Sequence, residues 1–124
     1  MDKNKTVLII DDDQNNIFAL KLALKSRGFQ AMGCLSAAEG LAQLRDHAGI
    51  GLVLMDMMMP EIDGYEATQL IRKSWSANKL PIIAVTAQAM TGDREKCLAA
   101  GANGYISKPI DIELLVQMIT EVAG

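Results

Sequence analysis

Five short apolar runs recur along this chain, separated by longer stretches with helical spacing. The runs are TVLII (6–10), QAMGC (30–34), GLVLM (51–55), PIIAV (81–85) and GYIS (104–107). They are continuously apolar rather than alternating, the pattern of strands covered on both faces. Strands joined through helices need right-handed crossovers, and these produce a parallel sheet with helices on both sides. The expected architecture is a three-layer α/β sandwich built on a five-stranded parallel sheet.

The intervening segments carry helix signals. In the first, Ile17, Leu20, Ala23 and Leu24 form an apolar stripe and Gly28 can close the helix in a left-handed conformation. Ser36 with Glu39, and Asp63 with Glu66, have the spacing of capping residues at the second and third helices. The fourth helix is expected from Thr91 to Ala100, with Asp93 and Glu95 early and Gly101 just past its end. The fifth is expected to start at Asp111, with Leu114, Leu115, Met118, Ile119 and Val122 on its apolar face.

No linker, repeat or low-complexity segment interrupts this alternation, so residues 1–124 are expected to form a single domain. Half of the residues are hydrophobic, enough for a core, and the net charge is -3 with no basic block, which argues against a nucleic-acid surface. The polar start MDKNKT and the lack of a long apolar run argue against a signal peptide or membrane span, so a cytoplasmic protein is expected. Cys34 and Cys97 lack metal or redox spacing and are expected to be free, buried thiols. His47, the single histidine, falls at the end of the second helix and is expected to be structural; Trp75, near the end of the third, is expected to be half-buried.

In a parallel sheet all strand C-termini lie along one edge, where ligands bind. Asp11 and Asp12 follow the first run, Asp56 the third, Thr86 the fourth, and Ser107 and Lys108 end the fifth. Three carboxylates, a hydroxyl and an ammonium therefore converge. Such carboxylates suit Mg²⁺, which takes one or two carboxylates and a phosphate; a lysine adds positive charge for an incoming phosphoryl group. Asp56 is then positioned as a nucleophile able to form an aspartyl phosphate. Taken alone, DDDQNN would be no more than a solvated helix start, and Asp13 is assigned to helix capping. The methionines of MDMMMP are soft donors unsuited to a hard cation, so Met55 is assigned to the core and Met57 to Met59 to loop packing around Asp56.

The motifs VLIIDDD, LVLMDMMMPEIDGYE, PIIAVTA and GANGYISKPI resemble those of the receiver domains of two-component response regulators, over essentially the whole chain. The resemblance implies the flavodoxin-like strand order 2-1-3-4-5. It also implies that Asp56 is the phosphoacceptor and that Asp11, Asp12, Asp56 and the backbone carbonyl of Met58 hold Mg²⁺. Lys108 would contact the phosphoryl group, Thr86 and Tyr105 would be the switch pair, and the Lys108–Pro109 bond would be cis. The implied phosphodonor is a histidine kinase or histidine phosphotransfer protein. The implied output is a protein partner on the face formed by the fourth helix, fifth strand and fifth helix. Met58 and Gln88 occupy positions that vary in that family; an apolar and an uncharged residue there imply slow self-dephosphorylation.

Other activities fit less well. A haloacid-dehalogenase-type phosphatase would need Thr or Val where Asn15 stands, and no G-x-G-x-x-G follows the first strand for a dinucleotide. An interaction module with a degenerate site is disfavoured by the intact residue set. The sequence closes on TEVAG at the end of the fifth helix, so the expectation is a receiver without an attached output domain, either stand-alone or separated from a hybrid kinase.

Overall fold

The computed structural model describes residues 4–87 and 91–123. Strands β1 (Thr6–Ile10), β2 (Gln30–Cys34), β3 (Ile50–Asp56), β4 (Ile82–Thr86) and β5 (Gly104–Ser107) alternate with helices α1 (Gln14–Ser26), α2 (Ala37–Asp46), α3 (Gly64–Arg72), α4 (Asp93–Ala100) and α5 (Ile112–Ala123). All pairings are parallel and the order is β2-β1-β3-β4-β5, the flavodoxin-like arrangement. No helix among the described residues is long and apolar enough to cross a membrane.

The unbroken apolar runs split between two cores because successive side chains leave a strand on opposite faces. Leu8 and Ile10 of β1, with Val53 and Met55 of β3, pack against Leu44, Ala67, Ile71 and Cys97 of α2, α3 and α4. Val7 and Ile9, with Leu52 and Leu54, pack against Ile17, Leu24, Leu115 and Ile119 of α1 and α5. Both thiols, Cys34 and Cys97, are free and buried.

Helix ends follow the sequence signals closely. Asp13, Ser36 and Asp63 each accept a hydrogen bond from the amide of Asn15, Glu39 and Glu66 respectively. Gly28 takes φ +87°, and the bonds Phe29 N–H to Leu24 O and Gly28 N–H to Lys25 O close α1.

Several boundaries and environments differ from the sequence expectation. The second run is not covered on both faces: β2 is a sheet edge, with Gln30 and Gly33 exposed and only Cys34 buried. Strand β4 starts at Ile82, since Pro81 has no N–H to give to a ladder. Strand β3 extends over 50–56. Helix α4 begins at Asp93, not Thr91, behind Gly92 at φ +91°. Asp111 precedes α5 and caps it, accepting from the Glu113 and Leu114 amides. Leu114 is 46% exposed, about 100° around the helix from the buried Leu115. Trp75 lies beyond α3, half-buried against the core.

Candidate functional site

The polar residues that end the strands meet at one edge. Asp11 and Asp56 are each 3% exposed, Thr86 is 4% exposed, and Asp12 reaches solvent. Asp11, Asp12 and Asp56 each offer a carboxylate oxygen within 4.8 Å of the others, which is a donor set for one small hard cation. Asp13, on the same run, is turned to its capping role and stands outside this group.

Backbone geometry holds each group. The Asp11 amide bonds to Cys34 O on β2, and its Oδ1 accepts from the Asp13 amide at 2.8 Å. Asp56 Oδ1 accepts from the Met58 amide at 3.1 Å, while the Met57 amide bonds to Val85 O on β4. The Asp56 turn sits directly on the start of α3. A Cβ on Gly64 would lie 2.5 Å from Asp56 O and from Met57 Cα, so only glycine permits this approach. The Lys108 amide bonds to Thr86 O at 2.7 Å and the Lys108–Pro109 peptide is cis. The Lys108 ammonium lies 3.5 Å from Asp11 Oδ2 and 3.8 Å from Asp56 Oδ2, bridging the two buried carboxylates.

The electrostatics make Asp56 the unusual member. Burial pushes its carboxyl up to about 6 from the ordinary 3.8. The Met58 amide and the Lys108 charge oppose this, while Asp11 and Asp12 add to it. One ammonium, Lys108, faces three carboxylates, and a divalent cation on their oxygen donors would supply the positive charge that is still short.

Thr86 pairs with Ser107 and Ala84 with Tyr105, so Thr86 and the half-buried Tyr105 lie on the same face of neighbouring strands, two positions apart. A groove of about 640 Å³ opens beside the site between α1 and the start of α5, and Asp11 and Lys108 both line it with Ala19, Leu20 and Ile110. Met57 and Met59 are buried as loop packing around Asp56, but Met58 is 70% exposed, because consecutive residues of the turn cannot all face inward. Gln88 lies outside the described residues. His47 is exposed at the C-cap of α2.

Sequence reasoning missed Arg72. Its guanidinium donates to Gly101 O, Trp75 O, Leu80 O and the Asn103 side chain, and Asn103 Oδ1 also accepts from the Ile82 amide. This knot anchors the start of β4 and the α4–β5 connection, and so carries Thr86 and Tyr105.

The chain matches the family model of the response regulator receiver domain over residues 7–120. It is 33% identical over 120 residues to the polar-differentiation response regulator DivK of Brucella ovis, covering 97% of each chain. It is similar to the solved structure of a response regulator receiver protein from Pseudomonas putida, at 30% identity and a TM-score of 0.87, over 98% of this chain and 99% of that one. A two-component system response regulator with a GGDEF domain is also similar, at 30% identity and a TM-score of 0.89 over 96% of this chain. This chain spans about half of that protein, 49% of its length.

Proposed function

The chain belongs to the response regulator receiver domain family of two-component signalling, and from that premise we propose that Asp56 is its phosphoacceptor. The observation that carries this is the Asp56 carboxylate, buried at the end of β3, with Lys108 Nζ at 3.8 Å and two further carboxylates beside it. Asp11, Asp12 and Asp56, with the Met58 carbonyl, are the groups that would hold Mg²⁺. Bound there, the ion supplies positive charge to phosphoryl oxygens during in-line transfer.

Asp56 is the nucleophile, and Lys108 neutralises charge on the transferring group while keeping Asp11 and Asp56 together. The groove between α1 and α5 gives the donor, a histidine kinase or histidine phosphotransfer protein, a path that reaches Asp11 and Lys108. Phosphorylation adds close to two negative charges at this edge. Thr86 responds by turning its hydroxyl toward the new oxygens, and Tyr105, on the same strand face, moves into the space released. The altered surface is α4, β5 and α5, where a downstream protein binds as the population shifts between two states.

The test is labelling with acetyl phosphate. Incorporation is expected only with Mg²⁺, with a hydroxylamine-labile bond, and is expected to vanish in Asp56→Asn. Label retained by that variant to the wild-type extent removes the assignment.

A further inference from the structure

The turn after β3 carries three consecutive methionines in different environments. Met57 and Met59 are 1% and 8% exposed, whereas Met58 is 70% exposed. Among the described residues no other methionine is exposed: Met55 is buried, and Met32 and Met118 are half-buried. Access to solvent largely decides which thioether an oxidant reaches. The open one stands on the turn whose amide holds Asp56 Oδ1 at 3.1 Å.

We propose that Met58 is an oxidation site through which hydroperoxides shorten the life of the phosphorylated protein. The proposal rests on the reading of Asp56 as phosphoacceptor. The Met58 sulfur lone pair attacks the terminal peroxide oxygen, the S–O bond forms as the O–O bond breaks, and the remaining oxygen leaves, after proton transfer, as water from hydrogen peroxide or as the alcohol from an alkyl hydroperoxide. Sulfur is oxidised by two electrons and the peroxide is reduced by two. A sulfoxide reductase drawing on a dithiol reverses the change, giving thioether, water and disulfide.

The consequence follows from hydrogen bonding. A thioether is a poor acceptor and cannot orient a water molecule beside an acyl phosphate. A sulfoxide oxygen is a strong acceptor on the same short side chain. It can hold a water by one of its protons and aim it at the phosphorus. One such bond changes a rate by about two- to tenfold. The thiols do not compete for the oxidant, because Cys34 and Cys97 are buried and burial raises both thiol pKa values, keeping them protonated.

The experiment treats the whole chain with hydrogen peroxide, maps sulfoxides by peptide mass spectrometry, and follows loss of label after phosphorylation by acetyl phosphate and removal of the donor. Wild type and Met58→Leu are each compared with their own untreated samples. The expected result is sulfoxide at Met58 ahead of Met57 and Met59, with label lost about two- to tenfold faster in oxidised wild type and an unchanged rate in treated Met58→Leu. Equal oxidation of the three methionines, an unchanged or longer lifetime, or the same acceleration in Met58→Leu overturns the proposal while leaving Asp56 as acceptor. If untreated wild type takes no label, the phosphoacceptor reading fails and this proposal falls with it.

Discussion

Removing the Asp56 charge is expected to stabilise the metal-free protein. The carboxyl is held at about 6 instead of 3.8, so the folded state binds its proton more tightly than the unfolded chain. The linked cost is absent below about pH 4, grows through the window between the two values, and is complete above about pH 6. Two pKa units correspond to about 3 kcal/mol, and the attractions of Lys108 and the Met58 amide are already contained in that figure. In Asp56→Asn the amide oxygen still accepts from Met58, and Lys108 keeps Asp11 at 3.5 Å. Allowing for local relaxation, the gain is about 2 kcal/mol at about pH 7.5. For 124 residues the unfolding entropy near the midpoint is about 0.26 kcal/mol/K, so Tm rises by about 8 °C. Thermal and urea unfolding in a chelator, at about pH 7.5 and at about pH 4, is the assay. The gain is expected to disappear at the lower pH and to shrink in Mg²⁺, which relieves the wild-type repulsion. No gain at the higher pH, or an equal gain at both, refutes the argument that Asp56 is a strained charge.

Asp12→Ala is expected to weaken Mg²⁺ binding more than Asp13→Ala, because Asp12 belongs to the carboxylate cluster and Asp13 caps α1; titration calorimetry distinguishes them, and equal effects mean the pair is misassigned. Gly64→Ala is expected to cost about 1–3 kcal/mol and to slow phosphorylation, since its Cβ would push on the backbone of Asp56 and Met57; unchanged urea unfolding and labelling would count against that contact. Arg72→Ala leaves up to three backbone carbonyls and the Asn103 oxygen without their donor and is expected to cost about 2–4 kcal/mol; a Tm within a degree of wild type would contradict it. Amide shifts on adding beryllofluoride are expected to extend beyond the Asp56 pocket into α4, β5 and α5, and changes confined to that pocket would leave only a phosphate relay.

The candidate site was legible together with the fold, because its chemistry depends on residue type at or just past the ends of four of the five strands. Asp11, Asp56, Thr86 and Lys108 stand where apolar runs stop, and parallel connectivity alone brings those stops to one edge. The exposed side of β2 was not legible. Its run is as apolar as an inner strand needs to be, and nothing within five residues says that it has a neighbour on one side only. Arg72 was hidden for a different reason: three of its four acceptors are backbone carbonyls, which every residue possesses, and two of its partners lie 29 and 31 positions away. The exposure of Met58, as opposed to its place beside Asp56, was hidden by its neighbours, since MMM is uniform as a sequence and only the path of the turn turns one thioether out and two in. The two hidden features bear on the same device from opposite sides. Arg72 holds the elements that carry Thr86 and Tyr105 at the far end of the sheet, while Met58 stands in solvent beside Asp56. A perturbation at Arg72 is therefore expected to alter how phosphorylation is transmitted, and one at Met58 how long it lasts. Measuring both lifetime and beryllofluoride-induced shifts in Arg72→Lys and Met58→Gln separates the two roles: a changed lifetime with normal shifts is expected for Met58→Gln, and altered shifts in α4 and β5 with a normal lifetime for Arg72→Lys. The reverse assignment would mean that the knot reaches the acceptor directly.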